Sequence, residues 1–273
     1  MTRQARRLAI LGHRGKCGEK IKERTAMTEY LTTPEGRRIA YNLTTGRAPY
    51  VVFCGGLKSD MEGTKALALE EWAKASGQGF LRFDYSGHGI SDGDFEDGCI
   101  GDWFEDASAA IDLIDGQVVL VGSSMGGWVS LLLSRERADK IAGLVTIAGA
   151  PDFTEDGYWA GFSDDERDTI MTKGRIEIPN EYVEPYVITR RLIEDGRTRL
   201  ILRSPLTFPF PARILQGSAD DVVTQDVAER LFAHAQGDDI QLTVVKGADH
   251  RFSDPTCLAL IEKSVCDILE RIG

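Results

Sequence analysis

Histidine is scarce in this chain, with four in 273 residues, and the five cysteines (Cys17, Cys54, Cys99, Cys257 and Cys266) are odd in number and form no C-x-x-C pair. That combination excludes both a disulfide framework and the ligand spacing of a zinc site, and it fits a reducing compartment. No apolar run approaches the roughly 20 residues that cross a bilayer, and Leu8–Gly12 is too short for a signal-peptide core. Internal repeats and low-complexity stretches are lacking as well. Basic residues fall short of acidic ones, 32 against 43, giving a formal charge of −11. The deficit is uneven: residues 1–26 hold eight Lys/Arg and only Glu19 and Glu23, which leaves −17 on the rest. A body so acidic repels phosphate backbones and anionic headgroups, so neither nucleic acid nor a charged membrane surface is expected as a partner.

What is present is an ordinary globular composition, 42% hydrophobic and 27% charged, enough for a large core in a single α/β domain. The basic segment 1–26 is expected to be a dispensable tail, or to precede a true start at Met27. A mitochondrial presequence is the alternative, and a cytoplasmic location the main expectation. From residue 27 to 273 the pattern is a hairpin followed by alternating strands and helices, the signature of a mostly parallel sheet covered on both faces. Glu29–Thr33 and Arg37–Thr44 read as the hairpin, and Tyr50–Cys54, Phe80–Phe83, Val118–Val121, Ile141–Ala148, Ala212–Leu215 and Ile240–Val245 as strands. Helical spacing appears over Thr64–Ala75, Ile100–Leu113, Met125–Arg137 and Gln225–Ala235, and after Asp254-Pro255, an N-cap followed by a first-turn proline. The alternation stops between about residues 152 and 206. That insertion carries large apolar groups such as Trp159, Phe162 and Tyr186, and it reads as a lid, or else as a helical excursion packed on the sheet.

Chemistry concentrates at Gly122-Ser123-Ser124-Met125-Gly126, a G-x-S-x-G motif between a buried strand and a helix. This is the nucleophile turn of the α/β-hydrolase fold, and it makes Ser124 the nucleophile. No G-x-G-x-x-G or G-x-x-x-x-G-K-[ST] accompanies it, which disfavours a phosphate-binding loop. The helix start supplies the Met125 N–H as one oxyanion donor. The loop after Tyr50–Cys54, with Gly55-Gly56, supplies the Leu57 N–H as the other. A serine needs a histidine base, and the fold orders its partners Ser, Asp or Glu, His. His234 falls inside a helix, and His88 precedes the serine in a turn-forming loop. His250 lies in the loop between the last strand and the last helix and is the expected base. For the acid, the G-x-x-D-x-V arrangement after Gly217 selects Asp220 over its neighbour Asp221. Cys54 closes a buried strand and reads as packing.

Ser59-Asp60-Met61 with Gly63–Ala68, Arg82–Gly87, Val121–Ser124 with Gly126-Gly127-Trp128, and Asp249-His250-Arg251 resemble the mitochondrial protein depalmitoylases that also cleave acyl glucuronides, and their bacterial relatives. The resemblance runs from about Met27 to the C-terminus and implies the same set, Ser124, Asp220 and His250. Three residues near the site depart from the pattern: Gly55 for a proline, Gln216 for a histidine and Thr224 for a proline. The expected activity is hydrolysis of a carboxylic ester or thioester through an acyl-serine. The substrate is expected to be a small molecule or acylated protein bearing a hydrophobic acyl group, and no cofactor or metal is implied. The alternatives are a general carboxylesterase or serine peptidase of the same fold, or a non-catalytic ligand-binding protein.

Overall fold

The computed structural model describes residues 28–178 and 186–273. The segment 1–26 therefore lies outside the described residues. The hairpin is β1 (Glu29–Thr32) and β2 (Arg38–Thr44), paired antiparallel with Tyr30 opposite Ala40. Then follow β3 (Arg47–Cys54), α1 (Thr64–Ser76), β4 (Gln78–Phe83), α2 (Ile100–Ile111), β5 (Val118–Ser123), α3 (Met125–Glu136) and β6 (Ile141–Ile147). A π-helical turn at Thr154–Trp159 leads to α4 (Asp164–Lys173), β7 (Arg175–Ile178), β8 (Tyr186–Thr189) and α5 (Arg190–Thr198). The chain closes with β9 (Ala212–Gly217), α6 (Gln225–His234), β10 (Ile240–Val245) and α7 (Pro255–Ile272).

Eight strands form one sheet in the order β1-β2-β4-β3-β5-β6-β9-β10, and β7 with β8 forms a separate antiparallel pair. β2 alone runs antiparallel to the rest, pairing antiparallel with both β1 and β4, and every other pairing in the large sheet is parallel. β6 pairs directly with β9, so the intervening insertion leaves the sheet and returns to it. This is the α/β-hydrolase fold.

The continuous apolar strands follow from burial on both faces. Val118 and Leu120 of β5 face one core with α2 and α3, while Val119 and Val121 face the other with α1 and α7. β3 alternates the same way, with Val52 and Cys54 on the first side and Val51 and Phe53 on the second. The helix ends obey local chemistry: Asp254 accepts from the Thr256 and Cys257 amides at 2.9 and 3.2 Å, and Pro255 opens α7. β3 starts earlier than the apolar run indicates, because Arg47 already pairs with Gln78 ahead of a register shift. The parallel strands aim their C-terminal ends at one edge of the sheet, and the loops after β3, β5, β9 and β10 converge there.

Candidate active site

Ser124 occupies the single position between β5 and α3, with φ 53° and ψ −119°, a conformation that strains any L-residue. Neighbouring bonds impose it. The Ser124 amide donates to the Ile147 carbonyl (2.9 Å), and the Ser124 carbonyl accepts from the Gly127 and Ala150 amides (2.9 and 3.0 Å). The two motif glycines have a steric reason: a Cβ on Gly126 would collide with the Cys54 carbonyl, and one on Gly122 would meet the Ser130 hydroxyl at 2.5 Å. With both absent, the turn sinks between β3 and α3 and the serine side chain is left projecting.

The loop after β3 lies against this turn. A Cβ on Gly56 would sit 3.4 Å from the Ser124 Cβ, and Leu57 follows it. Ser59 donates to the Gly56 carbonyl from both its hydroxyl (2.8 Å) and its amide (3.2 Å). In a trans peptide the N–H points opposite the carbonyl, so fixing the Gly56 oxygen also fixes the direction of the Leu57 N–H. Met125 is the first residue of α3, where amides lack intrahelical partners and the dipole is positive.

Asp220 and His250 arrive from the loops after β9 and β10. These loops are laced together, with the Ala219 amide on the Ala248 carbonyl (3.0 Å) and the Gly247 amide on the Ser218 hydroxyl (2.9 Å). From α1, the Lys65 ammonium reaches the Arg251 carbonyl at 2.5 Å, and fully buried Phe252 anchors the far side. His250 Nδ1 donates to Asp220 Oδ2 at 2.9 Å, and His250 Nε2 accepts from Ser124 Oγ at 3.2 Å. A carboxylate on Nδ1 leaves the Nε2 lone pair for the hydroxyl, the tautomer a base requires. Asp220 Oδ1 accepts from the Val222 and Val223 amides at 2.9 and 2.8 Å. Burial pushes the Asp220 carboxyl up, but the hydrogen bond and charge of His250 and the two amides outweigh it and hold the group below its ordinary value. Asp221 is exposed.

The other candidates have structural partners. His88 is buried among Tyr85, Phe95 and Trp103, and its Nδ1 donates to the Ser86 carbonyl at 3.2 Å. Burial lowers it to about 4, so it stays neutral. His234 contacts the Ser204 carbonyl through Nε2 at 2.7 Å. The Cys54 thiol is pushed up to about 11 by burial, against bonds to Ser130 and Tyr85 that lower it, and is no thiolate at neutral pH. An aromatic run leads from α3 into the insertion: Trp128 to Phe153 (5.5 Å), Phe153 to Tyr158 (5.5 Å), and Tyr158 stacked on Phe162 (6.1 Å). Sequence reasoning gave Ser59 and Lys65 only as parts of the resembling motifs and Gln216 only as a departure from them; their contacts, Ser59 on the Gly56 carbonyl, Lys65 on the Arg251 carbonyl and Gln216 on the Asp220 loop, come from the structure.

Residues 51–256 match the profile of the alpha/beta hydrolase family. The chain belongs to that family. Within the alpha/beta hydrolase family it is similar to palmitoyl-protein thioesterase ABHD10, mitochondrial. Against the human protein it is 32% identical over 255 residues, 92% of this chain and 83% of the relative. The bovine protein is 32% identical over 250 residues, 89% and 80% of the two chains. A crystal structure from Agrobacterium vitis S4 superposes with a TM-score of 0.86 at 38% identity, covering 92% of this chain and 100% of that one. Alpha/beta hydrolase domain-containing protein 10 from mouse gives 0.84 at 29%, covering 91% and 100%. The resemblance carried by the motifs around Ser59, Arg82, Ser124 and His250 thus extends over the domain, and the chain is a hydrolase-fold enzyme related to esterases and thioesterases.

One expectation is corrected. The cytoplasmic expectation is overturned in favour of its alternative by the bovine, human and mouse relatives, which are named as mitochondrial proteins. The reason for the error is physical: unpaired cysteines separate reducing from oxidising compartments, and they do not separate two reducing ones. Among the described residues no helix is long and apolar enough to cross a membrane.

Proposed function

We propose that this protein is a serine hydrolase that cleaves carboxylic esters through an acyl-Ser124 intermediate. The observation that carries the reading is the unbroken run of hydrogen bonds from Asp220 through His250 to Ser124, at 2.9 and 3.2 Å, on a serine held in a strained turn. Neutral His250 takes the Ser124 proton as Oγ attacks the carbonyl carbon. The Leu57 and Met125 amides receive the negative charge on the carbonyl oxygen, and Asp220 stabilises the imidazolium. Collapse expels the alcohol, protonated by His250. A water activated by the same imidazole then frees the acid and restores Ser124.

A second reading, hydrolysis of a thioester on an acylated protein, is favoured by the name of the curated relatives, palmitoyl-protein thioesterase. The aromatic run from Trp128 to Phe162 supports a hydrophobic acyl group in either case. Oxygen esters, thioesters and acyl-proteins compared at matched acyl length separate the two: a preference for oxygen esters throughout rejects the thioesterase reading. Ser124→Ala is expected to lower kcat by about 10⁶ and abolish fluorophosphonate labelling. Retained turnover rejects the nucleophile, and absence of labelling in the parent protein favours a non-catalytic binding role.

A further inference from the structure

Gln216, the penultimate residue of β9, is fully buried and its side chain faces three oxygens. Its Nε2 carries two N–H bonds with three acceptors in reach, the Val223 carbonyl (2.8 Å), Asp220 Oδ2 (3.2 Å) and the Gly217 carbonyl (3.2 Å), so one N–H is shared between two of them. Its own Oε1 is buried with no partner among the described residues. The amide cannot turn over, because that would set its oxygen against a carboxylate and two carbonyls. The orphaned oxygen is the cost of keeping the NH₂ on the acid loop. Asp220 Oδ2 therefore has two donors, His250 Nδ1 at 2.9 Å and Gln216 Nε2 at 3.2 Å.

We propose that Gln216 is a positioning residue that acts on His250 through Asp220: its amide closes the 217–223 loop around the carboxylate and takes up part of the acceptor capacity of the oxygen that His250 uses. The proposal rests on the reading of Asp220 and His250 as acid and base. Two donors on one oxygen share its electron density, so each bond is weaker than it would be alone. A less basic Oδ2 stabilises imidazolium less, which keeps Nε2 unprotonated and ready to accept the Ser124 proton at lower pH. The other charged groups around the pair are Asp221 in the acid loop, Asp249 and Arg251 flanking His250, and Lys65 reaching in from α1. A substitution at 216 leaves all of them in place.

The test replaces Gln216 in the full chain and reads two signals. Gln216→Met keeps the length of the side chain and removes the donor, and Gln216→Asn keeps an amide but draws it back by one methylene. In both, the His250 Nδ1 proton resonance is expected to move downfield, and the acid limb of kcat/KM to move up by about half a pH unit. Gln216→His returns a ring N–H to the site and is expected to bring both signals back toward the parent. The proposal is overturned by a folded Met or Asn variant with lowered thermal stability and both signals unmoved, which is what a packing role alone produces. It is equally overturned by a His variant that stays as displaced as Met. The proton resonance does not depend on turnover, so its result stands apart from any failure of the hydrolase reading.

Discussion

At the residue scale, Asp220 and Asp221 are adjacent carboxylates with opposite circumstances. The Asp220 side chain is fully buried and receives bonds from His250, Gln216, Val222 and Val223, whereas Asp221 faces solvent. An amide at 220 would present either an NH₂ to Nδ1–H or a weaker oxygen acceptor, and the imidazolium would lose its counter-charge. Asp220→Asn is therefore expected to lower kcat by about 10⁴, and Asp221→Asn to leave it within about threefold. Steady-state kinetics on any cleaved ester reads both, and equal losses, or the reverse order, would move the acid to the neighbour. The G-x-x-D-x-V spacing already pointed to the first aspartate. The four donors around it, and the part Gln216 plays among them, became visible only with the loop folded.

At the element scale, the insertion between β6 and β9 is fastened at its base. Asp152, buried and at φ 58°, accepts from the Ile201 amide (2.7 Å), the Leu202 amide (3.1 Å) and the Arg203 guanidinium (2.6 Å), so one carboxylate joins both ends of the excursion. Arg203 and Arg230 also meet on Asp156, which ties the π-helical turn to α6. Asp152→Ala would leave amides and an arginine without their acceptor, and a loss of about 2–4 kcal/mol in a urea melt is expected. A loss under about 0.5 kcal/mol would show the clasp to be dispensable. The sheet strands and the helices around them were legible because apolar periodicity and caps are local signals. The antiparallel pair β7 and β8, with α4 and α5, was not, because strands of four residues with so few buried positions are too short to show a period.

At the scale of the whole molecule, Glu70, Asp102, Asp156, Asp220, Asp239 and Asp267 are held below the ordinary carboxylate value. In five of them burial is the strongest single influence and acts upward, but hydrogen-bond donors and, in most, arginine partners outweigh it. In Asp239 the Arg213 bond is itself the strongest. A carboxyl depressed in the folded state contributes stability above its unfolded value and loses it as pH falls through the folded one. Asp84 and Asp106, raised by burial, act the other way and are fewer. His88, lowered by burial to about 4, adds to this loss once pH falls below its ordinary value of 6.5, so the melting temperature is expected to decline from about pH 6 and more steeply below about pH 4. A rise continuing to pH 3 contradicts this. The sequence by itself determined the fold, the family branch and the identities of Ser124, Asp220 and His250 as candidates, since strand and helix periods and a G-x-S-x-G turn are short-range properties of the chain. Only the tertiary structure decided how they meet. The separations of 126 positions from Ser124 to His250 and of 30 from Asp220 to His250 are closed by parallel pairing of β5, β6, β9 and β10 and by the reach of Lys65 to the Arg251 carbonyl. Such long-range contacts leave no periodic trace in the sequence.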